Sequence, residues 1–261
     1  MTHHPLQHPA HPLVEIDGRA VYFDTGSPVT FLPERHADLR AALGLGAHEL
    51  RLCSDAAFAR VRAVAEKLTG QRVDALLGMD VIGRIGLDYD RPNGTLAWGL
   101  AANAATAVSA DGATDAAAND DGFALVATGH ASAIPVAEFE VAGRRLRAFL
   151  DTGCHADGYL DGLPSDLPDA GVMQDHNPII GAFSVRGHIA EATLLCGDGT
   201  RVPLGESRIG DIPRQAAGLL PALSALSAKS APPIQGVLGG AVFRYRRVRF
   251  IGNEVFVARA A

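Results

Sequence analysis

The sequence predicts a mostly β protein of two lobes, with a few helices and a pseudo-twofold internal duplication. Three observations carry this. An apolar strand running into Asp-Thr-Gly occurs twice, ending at Asp24 and at Asp151. Each copy is followed downstream by two aliphatic residues and a glycine, Leu76-Leu77-Gly78 and Val237-Leu238-Gly239, and then by a β-rich tail. Between the copies, residues 101–122 (AANAATAVSADGATDAAANDDG) hold no aromatic or large aliphatic anchor and read as a linker. The chain therefore divides into an N-terminal lobe over 13–100 and a C-terminal lobe over 123–261, each the size of a compact domain.

The elements follow in order. Residues 1–12 interleave His3, His4, His8 and His11 with Pro5, Pro9 and Pro12, which obstruct any regular element that would fix a coordination geometry, so a disordered His/Pro-rich tail is expected. Val14 to Arg19 turns into Ala20 to Phe23 as a hairpin whose second strand ends at Asp24. Glu34 to Leu43 and Ser54 to Leu68 read as helices, the second with Ser54 as N-cap. Phe139 to Arg144 turns into Leu146 to Leu150, a second hairpin ending at Asp151. Pro178 to Gly187 leads into His188 to Leu195 as a further hairpin, and Leu219, Leu220, Leu223 and Leu226 stand at helical spacing within 212–226. Aligning Gly78 with Gly239 sets Val81 on Val242, Leu87 on Val248 and Tyr89 on Phe250.

Composition removes several function classes. With 48% hydrophobic and 20% charged residues the chain can bury a core, yet it holds no apolar run of the ~18 residues that a membrane span requires. A net charge of −6 with scattered arginines opposes nucleic-acid binding. Three cysteines, Cys53, Cys154 and Cys196, form neither a disulfide framework nor a Cys-x-x-Cys motif, and the N-terminus has no charged segment leading into an apolar one, so a cytoplasmic location is expected. His36, His48, His130, His155, His176 and His188 show no metal-ligand spacing. No nucleophile elbow, phosphate loop or dinucleotide fingerprint is present, so neither metal nor cofactor is expected.

The aspartates suggest chemistry. Each ends an apolar strand and precedes a hydroxyl residue and a glycine, which lets the backbone turn sharply and approach its mate. Two such loops facing one another would bring together two carboxyls that cannot both ionise easily and so hold one proton between them. One would act as base toward a water and the other as acid toward an amide oxygen.

The doubled strand-Asp-Thr-Gly loop with its aliphatic-aliphatic-Gly partner resembles the pepsin-like and retropepsin-like aspartic peptidases, over about two thirds of the chain. The resemblance implies a bilobed acid-protease-like β-barrel fold and hydrolysis of extended peptides or proteins in the cleft between lobes, by a monomer. Asp24 and Asp151 would be the catalytic dyad. Thr25 and Thr152 would hydrogen-bond across the loops, Gly26 and Gly153 would orient the carboxylates through their N–H groups, and Ser27 would support the outer oxygen of Asp24. Two departures stand out. Cys154 takes the place of that serine in the second loop, and a thiol is the weaker donor. The N-terminal lobe offers no flap hairpin, whereas residues 178–195 do, with Ile180, Gly181 and Phe183 as substrate contacts. A redox role for Cys154 and an ordinary core hairpin at 178–195 stay open beside these. So does a catalytically inactive peptide-binding or sensor module on the same fold.

Overall fold

The computed structural model describes residues 3–46, 50–100, 122–126, 128–131, 133–177, 180–218 and 232–259. The linker at 101–121 and the four leucines at 219–226 lie outside them. The protein is mostly β. Its N-terminal part contains β1 (His3–Pro5), β2 (Leu13–Ile16), β3 (Arg19–Phe23), α1 (Leu39–Ala42), α2 (Asp55–Thr69), β4 (Ala75–Leu77), α3 (Met79–Ile85), β5 (Leu87–Asp90) and β6 (Thr95–Trp98). The remainder contains β7 (Phe123–Leu125), β8 (Thr128–Ala131), β9 (Ile134–Val141), β10 (Arg144–Leu150), β11 (Gly158–Leu160), β12 (Asp169–Asn177), β13 (Gly181–Leu195), β14 (Arg201–Asp211), α4 (Arg214–Ala217), β15 (Gly236–Leu238), α5 (Gly240–Phe243), β16 (Arg247–Ile251) and β17 (Glu254–Ala258). Among the described residues no helix is long and apolar enough to cross a membrane.

Both aspartate hairpins are built alike. Asp17-Gly18 joins β2 to β3 and Ala142-Gly143 joins β9 to β10, with positive φ at all four residues, the two-residue turn that suits the strand twist. A short strand then adds in parallel to the second arm, pairing Phe23 with Leu77 in one case and Leu150 with Leu238 in the other. Each of these four residues immediately precedes an Asp or Gly of the doubled motif, so the same register recurs at both sites. The helices expected between the first loop and β4 are present. A 3-10 turn at Glu34–His36 and α1 fall within 34–43, and Ser54 Oγ accepts the Ala57 N–H at the head of α2 (3.3 Å).

The two parts share one sheet of order β1-β6-β5-β16-β17-β7. At its centre Leu87 opposes Phe250 and Tyr89 opposes Val248, the four positions that the alignment of Gly78 with Gly239 makes equivalent in pairs. Beneath it, Phe243 packs against Tyr89 (5.6 Å between centroids) and Phe250 (6.4 Å), fusing both parts into one core. Asp88 on β5 is 1% exposed and accepts from Arg247 Nε (2.6 Å) and Nη2 (2.5 Å) and from Arg249 Nε (3.0 Å). Removing one side of such a buried cluster leaves charge without its counter-charge. Asp88→Ala is therefore expected to lose about 3–5 kcal/mol of stability in urea unfolding.

Two expectations are corrected. Residues 3–12 are no disordered tail: β1 pairs with β6, the His4 ring stacks on Trp98 at 4.2 Å, and His11 is fully buried. Prolines 5, 9 and 12 shorten the strand without preventing docking, because an edge strand tolerates missing donors. Residues 181–195 are one strand, β13, rather than two arms. The hairpin is made with β12, whose sequence DAGVMQDHN lacks apolar alternation because it is the edge of the eight-stranded sheet β12-β13-β14-β11-β15-β10-β9-β8. Pro178 and Ile179, at its tip, lie outside the described residues.

Candidate active site

The parallel strands β4 and β15 fix where β3 and β10 end. The N–H of Asp24 donates to the Leu77 carbonyl (2.8 Å) and that of Asp151 to the Leu238 carbonyl (3.0 Å). Each chain then turns at once, and Oδ1 of each aspartate accepts the N–H two residues on, from Gly26 (2.9 Å) and from Gly153 (2.7 Å). The glycines after the aliphatic pairs have a packing cause: a Cβ on Gly78 would strike the Val29 carbonyl, and one on Gly239 the Cys154 carbonyl.

The loops lock reciprocally. Thr25 N–H donates to Thr152 Oγ1 and Thr152 N–H to Thr25 Oγ1, both at 3.0 Å. Thr25 Oγ1 donates to the Leu150 carbonyl (2.8 Å) and Thr152 Oγ1 to the Phe23 carbonyl (2.9 Å). Both threonines are buried, so each bond replaces water that cannot reach it. This lattice presses Asp24 and Asp151 together until their carboxyls hydrogen-bond to one another. A Cβ on Gly26 would overlap the Asp151 carboxyl, and one on Gly153 would come within 2.9 Å of Asp24 Oδ1. Gly26→Ala should thus push the carboxyls apart, and any dyad-dependent activity should fall on the order of 100-fold in kcat/KM.

The electrostatics follow from enclosure. Burial, and then the charge of Asp151, push the Asp24 carboxyl well above its ordinary range; burial also raises Asp151, opposed by the Gly153 N–H and the bond with Asp24. Tyr22, two residues before Asp24 and so on the same strand face, stays neutral because burial and both aspartates raise its hydroxyl. The Cys154 thiol is raised by burial, then by Asp151 and Asp175, and points to the Ala156 carbonyl (3.6 Å). Ser27 behaves the same way. Its Oγ donates to the Val29 carbonyl (2.7 Å), so its hydroxyl proton is directed away from Asp24, and the bond Ser27 makes to the Asp24 carboxyl comes from its backbone N–H. Serine and cysteine thus take one local role in the two loops.

Of the hairpin residues, Gly181 opens β13 opposite Asn177 with φ of +78°, Ile180 stands just before it, and the Phe183 ring meets Tyr159 edge-on at 5.3 Å. Tyr159 Oη donates to Asp175 Oδ2 at 2.6 Å. A pocket of about 230 Å³ lies between the hairpin and the residues following Asp151, lined by His155, Asp157, Tyr159, Met173, Asp175 and Arg208. His155 is exposed, and its ring lies 5.4 Å from that of His11 rather than bonding Cys154. Sequence reasoning missed Tyr159, Asp175 and His11, whereas the strand period alone could have put Tyr22 beside Asp24. Among the described residues no group of three His, Cys, Asp or Glu is placed to hold a metal ion. Compared with known proteins, the chain is matched by no family model and by no curated protein.

Proposed function

We propose that this chain is an aspartic endopeptidase acting as a monomer on extended peptides or proteins, without metal or cofactor. One observation carries the reading: the reciprocal threonine bonds and paired glycine N–H groups hold two half-buried carboxyls side by side, an arrangement that desolvation and like-charge repulsion oppose. A pair of this kind keeps one proton. The ionised member takes a proton from a water, whose oxygen bonds to the scissile carbonyl carbon, while the neutral member protonates the carbonyl oxygen. The member now protonated gives its proton to the amide nitrogen while the other takes one from a hydroxyl of the tetrahedral diol, so the C–N bond breaks, a carboxyl product forms and one proton stays on the pair. The matched registers of β3–β4 and β10–β15 support an internal duplication, and the return of β13 onto β9 supports a barrel in the C-terminal lobe.

The reading is tested with a statine-type inhibitor and its counterpart lacking the central hydroxyl. A catalytic pair binds the hydroxyl as it would bind the tetrahedral species, so the statine form should bind at one per chain and at least 100-fold more tightly. Equal affinity for both would make the protein a peptide-binding module on this fold.

A further inference from the structure

We propose that Tyr159 and Asp175 form the latch that holds the β12–β13 hairpin over the second aspartate loop, with Tyr159 as a positioning residue for bound substrate. The inference rests on the endopeptidase reading for its kinetic consequence and on geometry alone for the latch itself.

From Gly187 onward β13 is paired with β14, and its last residues pair with β9 as well. Residues 181–186 pair with β12 instead, so 172–177 and 181–186 project beyond the sheet as a two-stranded ribbon. Such a ribbon is marginal without something to rest on. Its faces are unequal: Met173, Asp175, Phe183 and Val185 are buried or half-buried, while Val172, Gln174, Ser184 and Arg186 are exposed. The ribbon therefore has an inner side, and Tyr159 meets it there.

Tyr159 is rigid at its base. It lies on β11 between β14 and β15, and the glycine opposite it, Gly210, leaves the space its ring occupies, since a Cβ there would be 2.8 Å from Cδ1. From that seat the hydroxyl reaches Asp175 on β12 and the ring edge meets Phe183 on β13. Asp175 and Phe183 are directly opposite one another in the hairpin register, so one side chain grips both arms at a single rung. At 2.6 Å, with a carboxyl acceptor, the hydroxyl bond is of the strong charge-assisted kind. The latch also reaches the dyad's surroundings, because Asp157, two residues before Tyr159, accepts the Arg208 N–H of β14 (2.8 Å) and its carbonyl accepts from Gly239 under the Asp151 loop (3.1 Å). A hairpin fixed at that rung presents its inner side at a set height above the cleft.

Two substitutions separate the bond from the ring. Tyr159→Phe keeps the ring and its Phe183 contact and deletes the hydroxyl bond; Asp175→Asn keeps an acceptor oxygen. Hydrogen–deuterium exchange of 172–186 should quicken about tenfold or more in Tyr159→Phe and less in Asp175→Asn, which keeps a neutral acceptor, with the exchange of β9 and β10 unchanged in both. On a peptide that wild type cleaves, Tyr159→Phe should raise KM about tenfold with kcat within about twofold, and Asp175→Asn should retain most of the wild-type KM. Unchanged ribbon exchange in Tyr159→Phe overturns the latch whatever the activity. Quickened exchange with wild-type KM overturns the positioning role. A wild type that cleaves nothing removes the endopeptidase reading and leaves exchange to decide the latch.

Discussion

Asparagine in place of either Asp24 or Asp151 is expected to abolish peptide cleavage and to raise the melting temperature at neutral pH. Loss of activity on the order of 1,000-fold or more follows from removing the acid or the base of a pair that works as a unit. The gain in stability follows from linkage. Burial raises the folded-state values of both carboxyls, and the charge of Asp151 raises that of Asp24 further, so the folded chain holds their protons more tightly than the unfolded chain does. Stability from this source is present below the unfolded carboxyl range and declines as pH rises through that range toward the raised folded values. Asparagine removes the ionisation, and the Gly26 and Gly153 N–H groups still find an amide oxygen. Thermal melts at pH 7 should place both variants above wild type, with the difference closing near pH 3. Variants that melt lower at pH 7 would mean that the carboxyls stabilise the fold.

His11 is expected to make the protein labile to acid, with an effect opposite in sign. Its ring is fully buried against Tyr22, with Nδ1 3.1 Å from the tyrosine oxygen, and lies 4.9 Å from His8 and 5.4 Å from His155. Burial first, then the charges of His8 and His155, pull its pKa down to about 3, against a smaller upward pull from the Thr152 carbonyl. The unfolded chain protonates this ring near its ordinary value, and the folded chain does not. Stability is complete above about pH 6.5 and is lost as pH falls from there toward 3, by a few kcal/mol when fully developed. Burial lowers His36 in the same direction. The aspartate pair acts in the opposite sense in both proteins, so on going from pH 7.5 to 4.5 the urea midpoint should fall further in wild type than in His11→Asn, which keeps a polar partner for Tyr22. The same pH response in both would remove this account. On the endopeptidase reading, cleavage is expected to be best near neutrality, since strong acid would undo the segment that seats against the second loop.

What the sequence revealed and what it hid differ by the range of the interactions. The two strand-to-aspartate hairpins, the aliphatic-aliphatic-glycine segments at 76–78 and 237–239, and the helix capped by Ser54 are legible because each carries its signal within a few residues. Aligning the two glycines sets Leu87 on Val248 and Tyr89 on Phe250 but carries no pairing; that these positions oppose one another across β5 and β16 emerges only in the fold. β12 was hidden because a two-sided polar edge strand has no period to detect. The packed N-terminal segment was hidden because prolines and histidines report local freedom and say nothing of a distant groove lined by Tyr22 and Trp98. The Ser27 hydroxyl was misread because a near carbonyl, that of Val29, captured it before the carboxylate could. Tyr159 and Asp175 meet only through the sheet order, which no local pattern encodes.

The central claim, that Asp24 and Asp151 together activate water against a peptide bond, is tested most directly by incubating the protein with a mixed peptide library in ¹⁸O-labelled water from about pH 3 to 8. The account predicts cleaved peptides whose new carboxyl termini carry one ¹⁸O, most abundant toward neutral pH and absent with Asp24→Asn or Asp151→Asn. A folded wild type that leaves every peptide intact across that range, or cleavage that survives in either variant, would contradict it.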